Sequence, residues 1–181
     1  MKLTPVANID GAFIIDRENL FRDERGNFME LHRDSWFDWL LPKFVQRNQS
    51  YSLPSVLRGM HSQTKEPQGK LITVSKGQIC DVIFDARKES PTFGEGFSIE
   101  LSNFGLSLYV PPGCLHGFYV LSNGAVVTYD CTTYYRPEYD SGVRWDDPKI
   151  RALFPSFITP IVSAKDRKLP SLEKYLEGVE S

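Results

Sequence analysis

Leu71-Ile72-Thr73-Val74-Ser75-Lys76-Gly77-Gln78-Ile79-Cys80-Asp81-Val82-Ile83-Phe84 is a pair of short apolar runs, rich in β-branched side chains, either side of a Lys-Gly turn. No 3.6-residue spacing runs through it, so the stretch predicts two β-strands joined by a tight reversal. The same pattern continues downstream, where residues 97–101, 106–110, 118–121 and 125–131 are again β-branched and aromatic-rich. Ser90-Pro91, Asn103-Phe104-Gly105, Pro111-Pro112-Gly113 and Ser122-Asn123-Gly124 separate them as turns. Upstream, Gly11-Ala12-Phe13-Ile14-Ile15 reads as a strand and Asp23-Glu24-Arg25-Gly26-Asn27 as a turn between strands. Short strands at near-regular spacing make a mainly β protein, an antiparallel sandwich or small barrel. Helical spacing is confined to the short segment Ser35-Trp36-Phe37-Asp38-Trp39-Leu40 and to the tail, 169–179, which predicts short peripheral helices. No repeat, linker or low-complexity tract divides the chain, and residues 1–181 are expected to form a single domain.

Composition narrows the class of function. The 181 residues are 41% hydrophobic and 24% charged, and their net charge of −2 offers no bulk attraction to nucleic acid or anionic membrane. No apolar stretch is long enough to span a bilayer, and Met1-Lys2-Leu3-Thr4-Pro5 lacks the apolar core of a secretory signal. Cys80, Cys114 and Cys131 are odd in number and widely spaced, which fits neither a disulfide framework nor a Cys-x-x-Cys metal site. Reduced, buried thiols and a cytoplasmic location are expected.

Three histidines, His32, His61 and His116, are the natural place to look for chemistry. Small barrels of the cupin type often hold a metal through His-x-His plus a carboxylate, but His61 is followed by Ser62-Gln63 and the next strand opens with Gln68-Gly69-Lys70. Two imidazoles and a repelling lysine make a poor divalent site, so no metal is expected. In Val56-Leu57-Arg58-Gly59-Met60-His61-Ser62-Gln63, strict alternation puts Arg58 and His61 on opposite faces. A bulge at Gly59 would bring them together as an anion clamp beside a proton carrier. Lys70 shares a face with Ile72 and Val74, and Tyr129 shares one with Ala125, Val127 and Cys131. Taken alone, Tyr129 reads by default as a core tyrosine with its hydroxyl satisfied, and His116 could simply be a hydrogen-bonded turn histidine.

Further motifs give these residues a context. They are Asp23-Glu24-Arg25-Gly26 with Phe28 and Glu30, Phe44-Val45-Gln46 with Asn48 and Ser50, and Gln68-Gly69-Lys70-Leu71. Then come Asp85-Ala86-Arg87-Lys88-Glu89-Ser90-Pro91-Thr92-Phe93-Gly94, Pro111-Pro112-Gly113 leading to His116-Gly117-Phe118, and Tyr129 with Cys131-Thr132 and Tyr134-Tyr135. Trp145-Asp146-Asp147-Pro148 and Ser163-Ala164-Lys165-Asp166 close the series. In this order, over about residues 21–166, the chain resembles the dTDP-4-dehydrorhamnose 3,5-epimerases.

The resemblance implies a cupin-like jelly-roll barrel that epimerises dTDP-4-dehydro-6-deoxy-D-glucose at C3 and C5 without a cofactor. It implies that His61 is the base, Asp166 the carboxylate orienting it, Tyr129 the general acid and Lys70 the cation beside the enolate oxygen. It implies that Arg25, Glu30, Gln46, Asn48, Arg58 and His116 hold the diphosphate and sugar, with Phe21 and Tyr134 sandwiching the thymine. Members of the family are homodimers that exchange N-terminal strands, so Phe21 and Arg25 are expected to serve the partner's site. The residue types suit the chemistry. A C4 ketone acidifies its neighbouring carbons, an imidazole can take their protons near neutrality, and a fixed cation stabilises the enolate. Two departures stand out: Ser62 where the family usually has an aromatic, and Asn27 where many members carry a bulkier residue. A sister epimerase acting at one centre or on another nucleotide, and a non-catalytic sugar-nucleotide-binding barrel, remain alternatives on the sequence.

Overall fold

In the computed structural model, which describes residues 1–17, 20–33, 35, 42–103, 105–156 and 158–178, the two runs around Lys76-Gly77 are strands that end in different sheets. In chain order the strands are β1 (Lys2–Pro5), β2 (Phe13–Asp16), β3 (Leu20–Asp23), β4 (Gly26–Met29), β5 (Gln46–Ser52), β6 (Val56–Gln63) and β7 (Lys70–Lys76). They continue with β8 (Gln78–Phe84), β9 (Gly96–Ser102), β10 (Ser107–Val110), β11 (Leu115–Val120), β12 (Ala125–Cys131), β13 (Asp140–Gly142) and β14 (Ile161–Val162). Two short helices, α1 (Pro148–Arg151) and α2 (Leu172–Gly178), lie in the C-terminal third. One sheet has the order β1-β2-β10-β7-β12-β5, the other β13-β6-β11-β8-β9 with β14 added in parallel to β6, and among the described residues β3 pairs only with β4. This is a jelly roll of two antiparallel sheets packed face to face.

The alternation read from the sequence explains the packing. Ile72, Val74, Leu108, Val110, Ala125 and Val127 from the first sheet meet Ile79, Ile83, Leu101, Phe118 and Val120 from the second. At roughly 1.5–3 kcal/mol for each fully buried aliphatic side chain, this inner layer holds the sheets together. A second cluster covers the outer face of the second sheet, where Leu57, Met60, Val82 and Tyr119 pack under Val143, Ile150, Phe154, Leu172 and Tyr175 of the C-terminal third. A smaller one, built on Ile15, Leu71 and Tyr109, lies outside the first sheet.

The structure refines several expectations. β11 begins at Leu115, so His116 is a strand residue rather than a turn histidine, because its backbone completes the ladder to β8. The tail helix covers 172–178, within the expected 169–179. The helical segment expected at 35–40 lies outside the described residues apart from Ser35. All three cysteines are free and buried. No helix among the described residues is long and apolar enough to cross a membrane.

Candidate active site

The bulge at Gly59 is present and it builds the site. His61 faces His116 and Arg58 faces Phe118 across the β6–β11 ladder, so Gly59 and Met60 together oppose the single residue Gly117. Leu57 and Met60 consequently share the outer face, packed in the second cluster, and Arg58 and His61 turn inward. Glycine is required there. The φ of Gly59 is +110°, and a Cβ on it would lie 2.7 Å from both the Gly117 Cα and the His116 carbonyl oxygen.

The bulge also takes the Gly59 N–H out of the ladder, and Asp166 collects it. The edge of β6 is paired by β14 at residues 56–57 and by β13 at residues 61–63, leaving a gap between. Asp166 enters at that gap from the turn after β14. Its Oδ2 accepts the Gly59 N–H at 3.2 Å, and its Oδ1 lies 2.8 Å from His61 Nε2. Burial would push this carboxyl up, but the His61 hydrogen bond and charge outweigh it, helped by Gly59 and Ser163, and hold its pKa below the usual carboxylate range. An ionised carboxylate accepts, so Nε2 carries the proton and Nδ1 is the free acceptor of the imidazole.

His61 opens onto a cleft of about 400 Å³ that also receives Gln46, Asn48, Gln63, Gln68, Lys70, Tyr129, Tyr135 and Asp140. The opposite sheet contributes two interior rows fixed by register: Gln46, Cys131 and Lys70 in one, Asn48, Tyr129 and Ile72 in the next. Tyr129 therefore faces the cleft from the sheet opposite His61. Burial pushes its phenol above the ordinary tyrosine value, against the nearby charge of Arg58, so the group is held protonated. Burial lowers the pKa of Lys70, opposed by the charges of Cys131, Asp140 and Asp81. Arg58 lies at the rim, its Nε on Ser52 Oγ at 2.9 Å and its Nη2 on the Tyr51 carbonyl at 3.2 Å.

Behind this layer is a second imidazole–carboxylate pair. His116 is buried opposite His61, and its Nε2 lies 2.9 Å from Asp81 Oδ1. Asp81 sits on the inward face of β8 between Ile79 and Ile83, an acidic residue on an apolar face that is visible in the sequence as an anomaly. Tyr135 and Asp140 were also not anticipated. The Tyr135 hydroxyl donates to Asp140 Oδ2 at 2.7 Å, and the Lys165 ammonium, from the motif that delivers Asp166, donates to the same oxygen.

Of the twelve residues expected to form the site, His61, Lys70, Tyr129, Gln46 and Asn48 line the cleft. Asp166, His116 and Arg58 lie against it as described. Tyr134 is exposed and its carbonyl accepts from Gln63; its neighbour Tyr135, exposed as well, lines the cleft. Phe21 and Arg25 are on the β3–β4 hairpin, bordering a separate groove with Arg22, Asp23, Asn27 and Phe28, and Glu30 at its base pairs with Arg33 at 2.8 Å. Of the two departures from the family pattern, Ser62 borders the cleft next to His61, its hydroxyl 3.5 Å from the Gln63 carbonyl and close to Tyr175 of α2, and Asn27 is on the hairpin. Among the described residues no three His, Cys, Asp or Glu side chains cluster closely enough to hold a metal ion.

Fold and site thus define a jelly-roll protein equipped to move protons on carbon, with an oriented imidazole facing a phenol across a polar cleft that also contains a lysine. Residues 6–174 match the family described as dTDP-4-dehydrorhamnose 3,5-epimerase. The chain is 44% identical over 172 residues to the enzyme of that name from Methanothermobacter thermautotrophicus, covering 92% of each chain. Its structure is similar to the dTDP-6-deoxy-D-glucose-3,5-epimerase of Legionella pneumophila in complex with dTDP-4-keto-L-rhamnose, with a TM-score of 0.88, 35% identity, and 97% and 96% of the two chains covered. It is also similar to a 3'-monoepimerase from Streptomyces bikiniensis in complex with dTDP-quinovose, with a TM-score of 0.87, 27% identity, and 97% and 90% covered. The chain belongs to the dTDP-4-dehydrorhamnose 3,5-epimerase family, a family of isomerases.

Proposed function

We propose that this chain inverts C3 and C5 of dTDP-4-dehydro-6-deoxy-D-glucose, giving dTDP-4-dehydro-L-rhamnose, by removing and returning protons beside the C4 ketone. The observation that carries this reading is the Asp166–His61 pair opening onto a cleft whose opposite sheet presents Tyr129 and Lys70. With Nε2 committed to Asp166, the Nδ1 lone pair of His61 takes the proton from C3 or C5, and Asp166 stabilises the imidazolium. The electron pair moves onto the ketone oxygen, where the Lys70 ammonium, short of solvent, meets the developing charge. Tyr129, kept protonated by burial, delivers a proton to the other face, and that exchange of faces is the inversion. The substrate's own carbonyl is the electron sink, so the chemistry asks for no cofactor.

Binding divides between two chains in this reading. Arg58, Gln46, Asn48 and His116 hold diphosphate and sugar from the barrel. Phe21, Arg25 and Glu30 reach the cleft from the hairpin of a second copy, in a homodimer that exchanges these N-terminal strands. The exposure of Phe21 (64%) and Phe28 (69%) on a hairpin that, among the described residues, pairs with no other strand supports this. Tyr135 rather than Tyr134 takes the thymine-stacking role opposite Phe21, since it is the tyrosine that lines the cleft. Three free, buried thiols support a reducing, cytoplasmic location.

The likeness to a 3'-monoepimerase favours one second reading, inversion at C3 alone. Proton NMR of the products from dTDP- and CDP-linked 4-keto-6-deoxy sugars tests both. Inversion at two carbons of the dTDP sugar is the expected result, inversion at C3 alone would transfer the chain to the second reading, and turnover of neither sugar would overturn both.

A further inference from the structure

Arg17 is a buried charge that the chemistry above leaves unused. It follows β2, three residues before β3 begins, and is 2% exposed. Its guanidinium reaches three groups on separate segments. Nε donates to the Leu31 carbonyl at 2.8 Å, Nη2 to Thr73 Oγ1 at 3.1 Å, and Nη1 to Ser107 Oγ. Thr73 on β7 and Ser107 on β10 lie on the outer face of the first sheet, next to the inward-facing Ile72 and Leu108, and are 3.0 Å apart. Leu31 is two residues past the end of β4. The fork therefore ties both feet of the β3–β4 hairpin, residues 17 and 31, to one spot on the barrel wall.

A clamp of this kind is costly as plain core filler. Burying a guanidinium carries a desolvation penalty that an apolar side chain of similar size avoids, so stability alone does not call for an arginine there. A planar fork does what an apolar residue cannot: it fixes angles as well as distances between the segments it joins. Among the described residues β3 and β4 of the hairpin beyond it pair only with each other, and its Arg25 side chain is 83% exposed. Its direction away from the barrel is set at its feet.

We propose that Arg17 is a positioning residue for the neighbouring copy's cleft: its three-way clamp sets where Phe21 and Arg25 stand when the hairpin docks on a second chain. The inference rests on the strand-exchanged dimer proposed above. Arg17 touches no substrate, so its loss should act on binding and spare the proton transfers.

Two kinds of measurement test it. Arg17→Met keeps length and burial but removes the fork; Arg17→Lys keeps the charge but cannot span all three partners. Both should raise KM about tenfold or more, the scale for losing a hydrogen bond from a charged group, with kcat within about threefold and the dimer intact by sedimentation. The second measurement is complementation. Arg17→Met is mixed with His61→Asn, so that a mixed dimer pairs the intact cleft of the first chain with the intact hairpin of the second. Random pairing makes half the dimers mixed, with one complete site in two, so about a quarter of all sites should recover the wild-type KM. The same mixture made with Arg25→Ala tests the exchanged dimer independently. Recovery with Arg25→Ala but not with Arg17→Met would overturn the role of Arg17 and leave the dimer reading standing. Failure of the Arg25→Ala mixture would overturn the exchange and the inference with it. A lowered kcat at unchanged KM in both Arg17 variants would reduce the residue to a structural part of the barrel.

Discussion

Asp166→Asn removes one negative charge from a buried position without changing its shape, and the surroundings dictate how the amide must turn. Besides the Ser163 hydroxyl, which can donate or accept and so suits either orientation, the side chain meets His61 Nε2 at 2.8 Å and the buried Gly59 N–H at 3.2 Å. Asparagine offers one acceptor oxygen and one donor nitrogen. Gly59 can only donate, so the oxygen must stay there and the NH₂ must face His61, which then has to accept through Nε2. The imidazole tautomer is reversed: Nδ1 now carries the proton toward the cleft and cannot act as base. Restoring the working tautomer means flipping the amide and leaving the Gly59 N–H without an acceptor, about 1–3 kcal/mol. The imidazolium formed on proton abstraction also loses its charged partner, worth about 1.5–3 kcal/mol. Together these raise the barrier by roughly 3–6 kcal/mol, a fall in kcat of about 10²- to 10⁴-fold. The assay is deuterium uptake at C3 and C5 in D2O followed by proton NMR, which reads proton abstraction directly, alongside formation of inverted product. Exchange and epimerisation should fall together, and ¹⁵N chemical shifts of His61 should report the reversed tautomer. A variant retaining more than a tenth of the wild-type exchange rate would refute the reasoning, since an acceptor at Nε2 would then be dispensable.

Tyr129→Phe leaves His61 and Lys70 in place, so it should still exchange label into the substrate while making little inverted product; epimerisation at the wild-type rate would return Tyr129 to the role of a core tyrosine. Arg58→Ala should weaken dTDP binding by about 1.5–3 kcal/mol in titration calorimetry, because its guanidinium sits at the cleft rim and, of the described residues lining the cleft, Lys70 is the one other Lys or Arg. Asp85 gives a pH-dependent contribution to stability. Burial pushes its carboxyl up, but hydrogen bonds from Arg87, Ser90 and Thr92 prevail and hold its pKa far below the ordinary carboxylate value. The contribution is therefore present above about pH 4, the unfolded value, and lost as pH falls through the lower folded one. Asp85→Asn should cost about 3 kcal/mol at pH 7 in urea unfolding, and a difference that fails to shrink in acid would contradict the assignment.

Much of the site was legible because a strand alternates its side chains whatever it packs against. That periodicity put Tyr129 with Ala125 and Val127, and Lys70 with Ile72 and Val74, and both rows do face inward. Gly59 signalled its bulge because a strand glycine between an arginine and a histidine has few other uses, and the register bears it out. Asp81 carried a signal too, as a carboxylate on an apolar face, although its pairing with His116 crosses two strands.

The sequence by itself therefore determined the strands, their inner faces and the residue types available for proton transfer, since these follow from local periodicity. Only the tertiary structure decided what meets what. Asp166 is 105 residues from His61, and it reaches the imidazole because β13 and β14 leave one gap along the edge of β6. No local pattern encodes where two other strands stop pairing. The loop carrying Tyr134 and Tyr135 is similar in kind: its path after β12 is set by contacts to Gln46 and Gln63, and of these two exposed side chains it brings Tyr135 to the edge of the cleft. Ser62 looked like a change beside the base, and only the folded chain shows what it meets: it borders the cleft and also lies close to Tyr175, because long-range packing brings α2 against β6.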